Sequence, residues 1–261
     1  MIFSILRTLC DHKLTPRQTD DKVILGAELG MGMTAAAVRR EQEPQGERET
    51  AYARVYRELR QAIVTGRFVP GRPVTLRGVA EELGVSPMPV REALRQLVAE
   101  RALVMFDNRR VAVPAMSPAR FAELCLARAL LEPQLATLAL PRITQSDIAA
   151  LSDLDAEIDR ALARGDTEVY MRRNYDFHFR LYRAAGSSVL LPLVESLWLQ
   201  VGPFLRMVVG RLGTGYLVDR HQAAIRALRA RDDSALRDAI RADVLDGQDI
   251  IGREILTPLP S

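Results

Sequence analysis

Residues 84–100 read GVSPMPVREALRQLVAE, and their reading decides the first half of the fold. Gly84 follows a short helical run and supplies the positive φ that a tight reversal needs. Beyond it, Val90, Ala93, Leu94, Leu97 and Val98 fall on one face at helical spacing. Arg91 and Arg95 fall on the other face. Pro87 and Pro89 stand where a helix's first backbone donors have no internal partner, so proline fixes φ there without removing a needed bond. The stretch is a helix entered through a glycine turn, apolar behind and arginine-bearing in front.

Upstream, TAYARVYRELRQAIVTGRF (50–68) places Val55, Leu59, Ala62 and Ile63 at helical spacing, with Thr50 as N-cap and Gly66 as stop. VPGRP makes a turn, VTL is short and β-prone, and RGVAEEL (77–83) reads as a second helix. Downstream, ALVMF and RVAVP read as a β-hairpin around DNR, where Asn108 is the residue best able to take a left-handed turn conformation. Helix, turn, short helix, tight turn, helix and hairpin is the order of a winged helix-turn-helix, whose third helix enters the major groove.

The charge agrees. Residues 50–116 hold 11 arginines against 6 acids, whereas residues 1–49 hold 7 basic and 8 acidic residues and residues 117–261 hold 18 and 19. The whole excess of the +3 chain lies in one segment, the footprint of a polyanion partner. Ser86, Arg91 and Arg95 face the groove, and backbone N–H groups at the helix start are further phosphate donors.

From Ser117 the texture changes to long helices with short loops, six segments in all, beginning with a serine cap and proline in SPARFAELCLARALLEPQLATLAL. Pro192 and Pro203 cap or kink the fourth. The expected fold is mainly α: a winged helix-turn-helix over 49–116, then an all-α bundle of six to seven helices over 117–256. Residues 1–48 carry no sustained periodicity and read as a disordered arm, or as sequence upstream of a true start at Met31 or Met33. Cys10 and Cys125 form no metal or disulfide pattern, and no apolar run reaches the roughly 20 residues that span a bilayer. A cytoplasmic protein is expected. No Ser/His/Asp set, P-loop or HExxH appears, so an enzyme is not.

The chain has three histidines. His12 lies in the arm, and His178 and His221 fall inside amphipathic helices. Asn174 and His178 are four apart, so they share a helix face and can point at one ion.

The segment VYRELRQAIVTGRFVPGRPVTLRGVAEELGVSPMPVREALRQLVAERALV resembles the DNA-binding domain of GntR-family transcription regulators, most specifically in its PG turn, LGVS turn and PVREAL. The resemblance implies DNA contacts from Arg77, Ser86, Pro87, Met88 and Arg91, and from a wing tip near Asn108 and Arg109. Relatives usually carry arginine and threonine where Pro87 and Met88 stand, and a glycine in the wing, so a different operator is expected rather than loss of binding.

The helical half resembles the FadR-type branch with an FCD domain, through Arg128, Leu131 and Glu132, through the Asn174 to His178 spacing, and through DRHQAAIRALRARD. That resemblance implies a divalent ion (zinc, nickel or manganese) held by Asn174, His178, His221 and Asp243, the last standing where relatives have histidine. It further implies a small organic acid effector gripped by Arg128 and the ion. Arg128 paired internally with Glu132 is the competing reading. A homodimeric, ligand-responsive repressor on a two-fold DNA operator is the leading expectation. The alternative is a constitutive dimeric DNA-binding protein whose helical domain is purely structural.

Overall fold

A computed structural model describes residues 49–106, 110–212 and 220–256. The first helix, α1 (Ala51–Val64), starts at Thr50, whose hydroxyl accepts from the Ala53 N–H. It ends at Thr65, and Gly66 follows at φ +69°. Strand β1 (Val74–Thr75) leads directly into α2 (Leu76–Leu83), since Thr75 is both the last strand residue and the N-cap of the helix. Gly84 closes α2 in the left-handed region at φ +63°. The Val85 N–H donates to Ala80 O at 3.1 Å, which satisfies an end carbonyl and turns the chain toward α3 (Pro87–Ala99).

The start of α3 is unusual chemically. Pro87 is the first helical residue and Pro89 the third, so neither can donate. An N-cap hydroxyl normally accepts from the second or third helical N–H. Here the third is missing, and Ser86 makes no side-chain cap bond. Among the first three positions only Met88 offers a backbone N–H. This narrows the expected phosphate capture by backbone groups and shifts recognition to side chains.

Strands β2 (Val104–Met105) and β3 (Arg110–Ala112) form the expected antiparallel pair, with Val104 opposite Ala112 and Met105 opposite Val111. Strand β1 adds on the other side of β3, pairing Val74 with Val111, to give the order β1-β3-β2. The wing strands are thereby tied to the residue that caps α2. The tip at 107–109, with Asn108 and Arg109, lies outside the described residues.

The helical half consists of α4 (Pro118–Ala139), α5 (Gln145–Arg164), α6 (Thr167–Ala184), α7 (Leu190–Leu212), α8 (His221–Ala230) and α9 (Asp233–Leu256). Ser117 caps α4 and Thr144 caps α5 through a reciprocal capping box with Asp147. Pro203 lies inside α7, with Pro192 near its start. Helix α4 packs on α6, α7 and α9, and α5 packs on α6 and α8. His221 stands at the start of α8 rather than inside it. Arg220 is its N-cap, because the Arg220 N–H is taken by the Asp243 carboxylate at 2.8 Å. Val98 is half-buried rather than part of the fully buried face of α3.

Helix α1 lies between the two halves. Its apolar residues Val55, Leu59, Ile63 and Val64 are all buried, and it packs against α3 as well as α7. No atom lies within 4 Å of a Cβ built on Gly84, so replacing it raises only the backbone cost. Gly84→Ala is expected to lose about 1 kcal/mol and Gly84→Asn less, since Asn tolerates φ > 0. Urea midpoints at unchanged slope are the measurement.

Candidate functional site

Burying a polar or charged side chain is costly unless its hydrogen-bonding groups are matched. The fully buried polar residues among those described are Thr65, Arg128, Glu132, Asp155, Asn174, His178 and His221. All but Thr65 belong to one region between the helices of the bundle, and five helices contribute to it. Helix α4 gives Arg128 and Glu132, α5 gives Asp155, α6 gives Asn174, His178 and Tyr182, α8 gives His221, and α9 gives Asp243.

The hydrogen bonds fix the histidine tautomers. Tyr182 donates its hydroxyl proton to Glu132 Oε2 at 2.8 Å. Its oxygen can then only accept from His178 Nδ1, 3.1 Å away. Asp155 Oδ1 accepts from His221 Nδ1 at 3.2 Å, and Gln222 donates to the same carboxylate. With both Nδ1 atoms carrying the proton, both Nε2 atoms present lone pairs, and these face each other at 3.3 Å. Asp243 adds carboxylate oxygens 3.2 Å from His178 Nε2 and 3.9 Å from His221 Nε2. Three acceptors therefore aim at one point, an arrangement that repels itself unless a cation sits between them.

The spacing suits a metal. Two nitrogens each about 2.1 Å from one ion stand roughly 3.0–3.4 Å apart at right-angled to tetrahedral geometry. The donor atoms of His178, His221 and Asp243 all lie within 4.8 Å of one another. Two imidazoles and a carboxylate are a borderline set that zinc, nickel or manganese accepts. Tyr182 and Asp155 are the outer partners that orient such imidazoles. Burial opposes ionisation of Asp243, but in the ion-free site a proton taken up at the facing imidazoles of His178 and His221, together with the Arg220 N–H, outweighs it and holds the carboxyl below the usual range. Burial first, and then the Glu132 charge, push the Tyr182 hydroxyl well above its ordinary value, so it stays a donor.

His178 and Asp243 also edge a cavity of about 50 Å³ whose wall includes Arg128, Asn174 and Trp198. Asn174 thus shares the cavity with two of the three converging residues. Arg128 makes the internal pairing with Glu132 and also stands on the cavity wall. Its Nε donates to Glu132 at 2.5 Å, and its guanidinium lies 4.6 Å from the centroid of the Trp198 ring, so it is bridged internally and also lines the cavity. The Trp198 indole N–H is buried without an acceptor among the described residues. The sequence did not single out Tyr182, Asp155, Trp198 or Val64. Tyr182 was within reach, being four residues after His178 as Asn174 is four before it.

The residues expected to meet DNA are on the surface. Ser86, Pro87, Met88 and Arg91 at the start of α3 are all exposed. Arg77, at the start of α2, is held by Glu81 at 2.7 Å, and Arg95 by Glu92 at 3.2 Å. Arg91 has no ion-pair partner among the described residues, which leaves its guanidinium free for a ligand.

Residues 51–113 match the family described as bacterial regulatory proteins, gntR family, and residues 123–245 match the FCD domain. The HTH-type transcriptional regulator McbR of Escherichia coli is 28% identical over 189 residues, 71% of this chain and 86% of that protein. The HTH-type transcriptional repressor GlaR of Escherichia coli is 27% identical over 216 residues, 78% of this chain and 92% of that protein. The solved structure of E. coli McbR/YncC superposes with a TM-score of 0.74 at 26% identity, covering 78% of this chain and 98% of that one.

Removing one partner of the buried pair leaves an uncompensated charge in the core. Glu132→Gln is therefore expected to cost about 3–5 kcal/mol, and adding Arg128→Met should recover part of it. Tyr182→Phe, which strands only neutral groups and one carboxylate oxygen, should cost less, about 1–3 kcal/mol. Denaturant titration of the three variants checks the order.

Proposed function

The chain belongs to the GntR family of bacterial regulatory proteins and carries an FCD domain, and from that premise we propose a ligand-responsive transcription repressor whose helical half senses a small organic acid through a bound divalent ion. Residues 49–116 are the DNA-binding part and residues 117–256 the effector-binding and dimerisation part. The observation that carries the metal is the convergence of His178 Nε2, His221 Nε2 and the Asp243 carboxylate. Asn174, on the cavity wall, supplies a further amide oxygen, and water or effector fills the remaining positions. The ion's role is to draw carboxylate oxygens into the cavity, where Arg128 offers the second positive group. Arg128 keeps that charge, because Glu132 outweighs the opposing effect of burial on its pKa.

On the DNA side, Ser86, Met88 and Arg91 meet the major groove with Arg77 on the flanking phosphates and Asn108 and Arg109 at the wing. Ser86 brings an uncommitted hydroxyl, and Arg91 an unpaired guanidinium. Pro87 contributes shape rather than a hydrogen bond, so the operator differs from those read by an arginine there. A homodimer on a two-fold operator is supported by an uncovered apolar stretch of α4. Leu126 and Leu130, one turn apart, are 62% and 54% exposed. No helix among the described residues is long and apolar enough to cross a membrane.

Two measurements test this reading. In gel shifts against DNA selected from a random pool, Arg91→Ala should weaken binding by about 1–3 kcal/mol and relax preference at one base position. Arg77→Ala should weaken it more evenly across sequences and lower the salt slope by about one. Unchanged affinity in both would overturn the recognition-helix assignment. Protein purified without a nickel column should contain a divalent ion, or gain melting temperature from zinc, nickel or manganese, and His178→Ala and His221→Ala should abolish either signal. A metal-free wild type with no thermal response would sink the site.

A further inference from the structure

We propose that Val64, the last residue of α1 in the DNA-binding half, is the wall through which the effector cavity reads the size of its occupant and moves the DNA-reading helix. The proposal rests on the cavity being the effector site, and it adds how occupancy reaches DNA.

Three observations meet at Val64. It lines the cavity that also holds Arg128, His178 and Asp243, while every other lining residue comes from α4, α6, α7 or α9. Its backbone touches the opposite wall. A Cβ built on Gly202 of α7 would sit 2.7 Å from Val64 O and 3.0 Å from Val64 Cα, so only glycine permits this approach. Helix α1 also packs against α3, so any shift of α1 on α7 carries the recognition helix with it.

Size decides which wall yields. A buried water needs roughly 10–15 Å³ of such space, so a cavity of about 50 Å³ holds a ligand about as large as three to five waters. Acetate fits this room, and a longer acid does not. Of the four bundle helices around the cavity, α4 and α7 each pack on the other three, and α4, α6 and α9 share the buried polar network, so parting those three strands charges in the core. Helix α1 and the segment after it are held to the bundle by apolar packing on α7 and by ion pairs that are not fully buried, Arg60 with Glu195 at 3.1 Å and Arg67 with Glu168 at 2.6 Å. A shift of α1 therefore strands no fully buried charge of the kind the bundle network holds. The α1 wall therefore gives first, and with Val64 and Gly202 already in backbone contact it has no slack to absorb the push.

The test uses the full-length, metal-loaded protein and its selected operator DNA, with acetate and hexanoate as probes. Hexanoate should change operator affinity at least fivefold, the low end of ordinary coupling, and acetate should not. Val64→Ala, which enlarges the cavity from the DNA-binding side, should still bind hexanoate by calorimetry while its operator response falls below twofold. Gly202→Ala, without any acid, should change operator affinity in the same direction as hexanoate, with metal content unaltered. If Gly202→Ala does not fold, Val64→Phe, which pushes a ring into the cavity, should give the same shift. A wild-type hexanoate response in Val64→Ala, or wild-type operator affinity in the wedge variant, overturns the proposal. If neither acid binds the wild type, the effector reading fails, and the acid-free wedge variant still decides whether the contact governs DNA affinity.

Discussion

Two imidazoles turned Nε2 to Nε2 in the middle of a helical bundle constrain nearly everything around them. Neither nitrogen can be satisfied by the other while both Nδ1 atoms are protonated, and Tyr182 and Asp155 keep them so. Each of those partners needs its own partner, which brings in Glu132, Gln222 and Arg128. The result is a polar chain that runs through α4, α5, α6, α8 and α9. An apolar core tolerates small slips of helix against helix, whereas this one leaves a charge unmatched for each slip. The network thus fixes the register of five helices and shapes a site with the donor set of a divalent ion.

The DNA-binding half answers to a different constraint, the entry into α3. Prolines at its first and third positions set the backbone angle and remove two donors that would otherwise meet phosphate. The same absence releases the Ser86 hydroxyl from capping duty. The exposed start of α3 presents a short list of side chains: a free hydroxyl, a thioether that is 63% exposed on Met88, and an unpaired guanidinium on Arg91. On the proposed reading, the arginine-rich segment supplies the attraction to DNA and those few groups the discrimination.

Much of this was legible in the sequence because it is local. Caps at Thr50, Ser117 and Thr144, the left-handed stops at Gly84 and Gly165, and the apolar face of α3 all follow from residue types at short spacing. That His178, His221 and Asp243 converge, with Asn174 on the cavity wall, was legible through resemblance and the four-residue spacing of Asn174 and His178, and His221 and Asp243 were reached only by likeness to a family. The rest depends on distances along the chain that no pattern encodes. Asp155 meets His221 across 66 positions, and Tyr182 meets Glu132 across 50. The position of His221 at the very start of α8 was hidden for the same reason, since the group that holds the N-cap Arg220 N–H is the Asp243 carboxylate, 23 residues later. Val64 reads as an ordinary helix-end valine until α7 is laid beside it.

The close approach of Val64 to Gly202 also bears on how the protein is made. The DNA-binding segment leaves the ribosome well before α7, and at 5–20 residues per second roughly 7–30 s separate synthesis of the two contact residues. During that interval the flank of α1 destined for α7 is bare, so the nascent chain carries an unshielded apolar strip beside an arginine-rich surface. The early DNA-binding half is thus completed only by a late-made helix, and a truncated product would retain the arginines without the flank that packs against α1.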